Sequence, residues 1–344
     1  VIWNDSLWNR GVKMIFKFKN VYVDDTATVA GPYEAKGPLS NYFDKRYKKD
    51  LYCGEKSFEQ AEVKLLEDSL KLVLKKSNLK ESDIDIVIAG DLLNQITSSC
   101  YSSLDMNSPF LGIYSACATS AEGILIASSL IDGGFINTAI AATSSHNMSS
   151  EKQFRNPTEY GAPKPKTATF TATGGASILL TNKPSKVRVS EGVIGTIVDY
   201  NQKDPLNMGA AMAGAAAHTL NDYFKNSEYS PKDFDLIVTG DLGIYGKEIL
   251  KDFMKEEYKI ELGNNYNDCG VILYDLEKQK DIMAGGSGPV CSALVTYSKI
   301  LKDLNEGIYK RVLLVATGAL FSPTFVYQKK PILSIAHLVC LEAI

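Results

Sequence analysis

One internal repeat limits what this chain can fold into more than any other feature. The string "DIDIVIAGDL" at residues 83–92 returns as "DFDLIVTGDL" at 233–242, with five of ten positions identical and the central apolar run kept. Each copy follows a helical pattern. In the first, "SFEQAEVKLLEDSLKLVLKKSNL" sets Phe58, Ala61, Leu65, Leu66, Leu70 and Val73 along one helical face. Ser57 and Gln60 there have the spacing of a capping box. In the second copy, "NMGAAMAGAAAHTLNDYFKNS" holds the equivalent place.

A second pairing lies downstream. "PFLGIYSACATSAEGILIASSLIDGG" (109–134) reads as a buried strand turning at Cys117 into a helix, followed by the strand "TAIAATSS". In the other half, "GGSGPVCSALVTYSKILKDLNEG" is followed by "RVLLVATGA". Continuous apolar strand runs suit parallel strands buried on both faces. Helices rich in Ala, Ser and Gly suit close packing on one another. The expectation is two duplicated α/β halves, with the small-residue helices between two sheets, in five layers. The boundaries read as residues 1–25 for an N-terminal extension and first strand, 26–184 for the first half and 185–344 for the second. Residues before Met14 resemble nothing structural.

Composition narrows the function classes. A length of 344 residues suits two halves of this size, and 45% hydrophobic with 22% charged residues is ordinary for a globular chain. A formal net charge of −3 supplies no basic field for nucleic acid, so no nucleic-acid partner is expected. Cys53, Cys100, Cys117, Cys269, Cys291 and Cys340 are widely spaced, and His146, His218 and His337 are the only histidines, so a structural zinc site is not expected. Several cysteines sit among small apolar residues, as reduced buried thiols do. No secretory h-region and no run of 18 apolar residues is read, which predicts a protein that is neither secreted nor membrane-spanning. The basic run "DKRYKKD" (44–50) reads as a solvated loop, or as a contact for an acidic partner or anionic membrane surface.

The Cys117 turn and the string "TATFTATGGASILLT" (167–181) resemble the nucleophile turn and the Gly-Ala-rich hairpin of the thiolase and ketoacyl-synthase superfamily. Within it the chain closely resembles the stage V sporulation protein AD family of spore-forming bacteria. The strings carrying this are "AGPYEAKGPL" (30–39), "AGDLLNQ" (89–95), "ATSSHN" (142–147), "QFRNPTEYGAPKPKTAT" (153–169), "TGDL" (239–242), "DCG" (268–270), "AGGSG" (284–288) and "VATGALFSPT" (315–324). The resemblance implies a thiolase-like αβαβα fold. It also implies binding of dipicolinic acid and a part in its uptake into the developing spore. Small integral membrane proteins of the same complex would be its partners, with peripheral association to the spore inner membrane. A homodimer paired through first-half strands near "AIAATSSHN" is implied too. No cofactor is expected, and calcium enters only as calcium-dipicolinate.

Condensation needs a cysteine at a helix N-terminus and, in ketoacyl synthases of the type III kind, a histidine and an asparagine to stabilise the oxyanion. Set on this sequence, the family histidine falls on Gly240 or Asp241, and the asparagine on Ser287. With both partners replaced, the resemblance implies a non-enzymatic protein. Cys117 then remains as a ligand contact, inert packing or a reactive nucleophile. Asp91 and Asp241 end the repeated strands and are candidates to hold calcium-dipicolinate; the alternative is that each caps the following turn. Asn94, Gln95, His146 and Arg155 are further candidate contacts, weighed against local hydrogen bonding. A condensing or acyl-transfer enzyme using Cys117 is the competing function, and a membrane-complex scaffold with a vestigial pocket is the third.

Overall fold

A computed structural model describes residues 15–154 and 164–344. The opening residues up to Met14, and Arg155 in the Pro-rich segment, lie outside the described residues. The first half holds strands β1 (Phe16–Lys17), β2 (Tyr22–Ala30), β3 (Lys45–Arg46), β4 (Ile86–Gly90), β5 (Phe110–Gly112), β6 (Thr138–Ser145), β7 (Phe170–Thr171) and β8 (Gly174–Thr181). Its helices are α1 (Phe58–Ser77), α2 (Thr97–Ser102), α3 (Thr119–Asp132) and α4 (Asn147–Phe154). The second half holds β9 (Val187–Val193), β10 (Leu236–Thr239), β11 (Tyr266–Asp268), β12 (Gly286–Ser287), β13 (Arg311–Leu320) and β14 (Leu333–Ala343). Its helices are α5 (Met208–Asn226), α6 (Gly243–Tyr258), α7 (Cys269–Ile272), α8 (Pro289–Val295), α9 (Leu301–Asn305) and α10 (Pro323–Tyr327). A π-helical stretch, Thr296–Ile300, joins α8 to α9.

The repeat seen in the sequence is a repeat of topology. The first sheet runs β5-β4-β6-β8-β2 and the second β11-β10-β13-β14-β9. Numbered within each half, both orders read 3-2-4-5-1, and the parallel and antiparallel pairings match strand for strand. The duplicated strings are the matching strands β4 and β10. Two short antiparallel pairs, Tyr22 with Arg188 and Val23 with Val187, join the sheets edge to edge. The expected 184/185 boundary falls in the link between β8 and β9, whereas the expected 25/26 boundary cuts through β2.

Helices α3 and α8 pack between the sheets; α1 and α2 cover the first sheet outside, and α5 and α6 the second. This is the five-layer arrangement. Small residues allow it. A Cβ on Gly123 of α3 would meet the Ala141 Cβ at 3.2 Å. The buried hydroxyls of Ser120 and Ser292 hydrogen-bond across the two central helices at 2.7 Å. Ser57 caps α1 by accepting from the Gln60 N–H. The Gln60 side chain accepts from the Lys56 N–H rather than that of Ser57, so the box is displaced by one residue.

Three expectations are corrected. The run before Cys117 is not a buried strand: β5 is three residues long, lies at the sheet edge, and leaves Phe110 and Leu111 exposed. Apolar content alone cannot separate an edge strand from a central one. Edge-to-edge pairing of copies through the strand of "AIAATSSHN" itself is closed by topology, because β6 has β4 on one side and β8 on the other. The run 44–50 is not simply solvated. Lys45 and the Tyr47 hydroxyl both bind the Asp68 carboxylate, and Asp44 accepts from the Thr28 N–H and hydroxyl.

The closeness of α1 to β8 gives a test. A Cβ on Gly175 would lie 2.3 Å from the Leu65 carbonyl oxygen, which is helix backbone and cannot swing aside. Gly175→Ala is expected to lower unfolding free energy by about 1–3 kcal/mol in urea titrations. Gly54→Ala, which meets nothing within 4 Å, should lose only the smaller amount that a left-handed backbone costs alanine, about 1 kcal/mol.

Candidate functional site

The site forms where the cysteine turn meets the second half. After β5 the chain makes one 3-10 turn, Ala116–Ala118, before α3. Ala116 is left-handed, with φ of +50°, a conformation that costs a residue with a Cβ about 1–2 kcal/mol. Thr119 holds the turn: its hydroxyl accepts from the Ser115 N–H and donates to the Ala116 carbonyl. Gly318 on β13 lets the second sheet approach, since a Cβ there would sit 2.3 Å from the Ser115 carbonyl oxygen. His337 on β14 supports the turn from behind. Its Nδ1 accepts from the Gly195 N–H, so Nε2 carries the proton facing the Ser115 hydroxyl at 3.1 Å. Burial lowers this imidazole to about 4, which keeps it neutral.

Cys117 opens into a narrow cleft with a cavity volume of about 50 Å³. Its polar lining is Cys117, Asp241, Ser287, Thr171 and Ser150, and its walls are Leu92, Tyr114, Phe154, Met208, Met212, Ala319 and Phe321. No Lys, Arg or His lines it among the described residues. Ser150 lines the cleft, and its hydroxyl is buried with no hydrogen-bond partner among the described residues.

Asp241 is the electrostatic centre of this cleft. It ends the repeated string after β10 and is buried. Its Oδ1 accepts from the Thr317 hydroxyl at 2.6 Å and its Oδ2 from the Gly288 N–H at 3.1 Å, at the start of α8. Burial pushes this carboxyl up to about 7; hydrogen bonds from Thr317, Cys117 and Gly288 oppose the rise, and the Asp268 charge adds to it. Of the two positions expected to replace the family histidine, Asp241 faces Cys117. Gly240 packs against β13, its Cβ position 3.1 Å from the Thr317 nitrogen.

The sequence candidates therefore divide. Cys117, Asp241 and Ser287 come together. Asp91 does not join them. It accepts from the Leu93 N–H, the Ser99 N–H and the Ser99 hydroxyl, and so caps the turn into α2. Asn94 and Gln95 line a separate shallow groove with Glu59 and Lys152, where the Asn94 N–H binds the Gln153 side chain. His146 is fully buried. Its Nδ1 accepts from Met148 N–H, and Nε2 meets the Leu51 carbonyl at 2.8 Å beside the Phe58 ring. Burial lowers it to about 4. Among the described residues no group of three or more His, Cys, Asp or Glu is placed to hold a metal ion. Asp91 and Asp241, candidates to hold calcium-dipicolinate with capping as the alternative, serve different places. Thr171 and Phe321 were within strings quoted for the resemblance without a role, whereas Ser150, Met208 and Met212 carried no sequence signal beyond helical periodicity.

Two sheets of 3-2-4-5-1 order around paired central helices, with a cysteine turn opening between them, define a thiolase-like fold. Solved structures agree. A cerulenin-bound OleA from Xanthomonas campestris superposes with a TM-score of 0.59 at 16% identity, covering 96% of this chain and 99% of that one. An OleA variant from the same organism gives 0.61 at 14% identity, covering 95% and 99%. Such identities establish the fold alone. The particular family follows from sequence: the chain belongs to the Stage V sporulation protein AD (SpoVAD) family, whose profile matches residues 12–342. It is 46% identical over 322 residues to Stage V sporulation protein AD of Bacillus subtilis (strain 168), covering 94% of each chain. A role in sporulation comes with that membership.

The buried carboxyls make stability depend on pH. Burial raises Glu34 to about 7 and Glu62 to about 8, the latter helped by Asp91, and Asp241 to about 7. Each has an ordinary, unfolded-state value near 4. Between pH 6.5 and 8 the folded state therefore holds more protons than the unfolded one, and stability falls as pH rises. His146 and His337, both lowered by burial, oppose this slope slightly just above pH 6.5, where the unfolded imidazoles still hold part of their protons, and the opposition fades as pH rises further. Thermal unfolding should show a lower midpoint at pH 8 than at pH 6.5, and Glu62→Gln should flatten the slope; a midpoint rising with pH would contradict the assignment.

Proposed function

We propose that this chain is a non-enzymatic dipicolinic acid binding protein that serves dipicolinate uptake into the developing spore. Family membership supports the sporulation setting. The observation that carries the rest is what faces Cys117: a carboxyl and a serine, with no basic side chain in the lining among the described residues. A neighbouring carboxylate opposes formation of the thiolate that acyl transfer requires. Condensation also needs donors preorganised for an enolate or oxyanion, and no histidine or asparagine lines the cleft among the described residues to supply them. The cleft retains the means to hold a small flat acid. Tyr114, Phe154 and Phe321 offer apolar faces for a pyridine ring, and Ser150, Ser287 and Thr171 offer hydroxyls for carboxylates. Calcium enters this reading only as calcium-dipicolinate.

No helix among the described residues is long and apolar enough to cross a membrane. Association with the spore inner membrane is therefore proposed to run through small integral membrane partners. A homodimer is proposed through the β5 edge, where Phe110, Leu111 and Tyr114 are exposed and one side of the strand has no partner strand among the described residues.

Calorimetric titration with dipicolinate, with and without calcium, tests the function. Saturable binding weakened about fivefold to tenfold by Cys117→Ala, the loss of one modest polar contact, is the expected result. Absence of heat under all conditions would leave the scaffold reading, and labelling of Cys117 by an acyl-CoA would favour an acyl-transfer enzyme. In sedimentation velocity the chain is expected to run as a dimer, and Leu111→Lys to run as a monomer.

A further inference from the structure

The cleft contains a contradiction for a dianionic ligand. Among the described residues its only ionisable acid–base group besides thiol and phenol is a buried carboxyl, and no cation among them lines the cleft to offset it. The α8 N-terminus, which would otherwise greet an anion, already has its first N–H, that of Gly288, bound to Asp241. The internal carboxyl thus stands where an incoming carboxylate would go.

We propose that Asp241 selects ligands by charge, so that a carboxylate enters the cleft only when Asp241 carries a proton. Protonated, it presents an O–H to the incoming carboxylate and the repulsion vanishes. Ionised, it turns dianions away, and the cleft admits only neutral molecules or acids that have picked up a proton or a cation. The groups facing Asp241 come from every side. Thr317 on β13 and Gly288 ahead of α8 donate to it, and the Cys117 thiol is hydrogen-bonded to it. Asp268 on β11 adds like charge, and the buried thiols of Cys269 and Cys291 behind the cleft stay neutral, burial raising both. Among the described residues no positive side chain acts on Asp241, and burial raises its carboxyl to about 7, which puts the switch in the neutral range. A metal ion in place of the proton is disfavoured by the donors, since both Asp241 oxygens already accept a hydrogen bond and Asp268 is occupied by Leu242, Gly243 and Gly270 N–H groups and the Thr239 hydroxyl.

The proposal deepens the dipicolinate reading and rests on it for the identity of the ligand, but the charge selection can be read from Cys117 itself. Iodoacetate and iodoacetamide alkylate it by the same displacement, the sulfur forming a bond to carbon as iodide leaves, and differ in charge. The ratio of their rates at Cys117, followed by peptide mass spectrometry from pH 6 to 8.5, cancels the thiolate fraction. It is expected to fall about tenfold or more as Asp241 ionises, an effect of the size a close charge pair gives in a partly desolvated site. Exposed Cys100 is the internal reference and should show no such fall. Asp241→Asn should hold the Cys117 ratio high and flat; if that variant does not fold, the profile of the unaltered protein against Cys100 still decides. Dipicolinate should protect Cys117 better at pH 6 than at pH 8. A ratio that titrates without any protection would uphold the charge selection and remove dipicolinate as the ligand. A flat ratio, or equal protection at both pH values, would overturn the charge selection.

Discussion

The structure depends on how closely the two central helices approach each other and the sheets on either side. Helices α3 and α8 touch each other and strands on both sides, and small residues let them approach. The Ser120–Ser292 hydroxyl pair and Gly123 against Ala141 are two of the close points. With the helices clamped in this way, the turn before α3 and the turn before α8 arrive at the same place from opposite halves. The cleft is the gap left there. Its polar groups, Cys117 from one half and Asp241, Ser287 and Thr317 from or beside the other, meet because the halves are locked together at this layer.

Much of this was legible in the sequence because it is carried by short-range pattern. The duplicated strings stated that two strands are equivalent, and the order of helices and strands around them required two matching halves. The position of Cys117 at a strand-to-helix turn is likewise a local property. What escaped was what depends on the chain's distant parts. "FLGIY" reads the same at a sheet edge as at its centre, and only the complete strand order shows that β5 has one neighbour. The strand "AIAATSS" is as apolar as an interface strand, and the same strand order shows both its edges already taken.

Asp91 and Asp241 make the sharper case. They occupy the same position in a repeat, follow the same Gly and precede the same Leu, and a local reading assigns them one role. The partners that separate them lie elsewhere: Ser99 for Asp91, and Thr317, Gly288 and Cys117 for Asp241. His146 shows the converse. A histidine at a strand end invites a functional reading, yet it is enclosed by Leu51, Met148 and Phe58 and held neutral by burial.

The loop after β10 also shows how the two halves came to differ. In the first half, Asp91 is committed to its own loop, taking the Leu93 N–H two residues on. In the second, the matching Gly243 N–H, with the Leu242 N–H before it, is taken by Asp268 from the neighbouring strand. The loop is thus secured by a residue that does not face the cleft. Position 241 therefore need not close its own loop, while its twin at 91 does. The same acidic turn serves twice with different reach: at 91 inward to its own loop and α2, at 241 outward across β13 and the start of α8, beside Cys117.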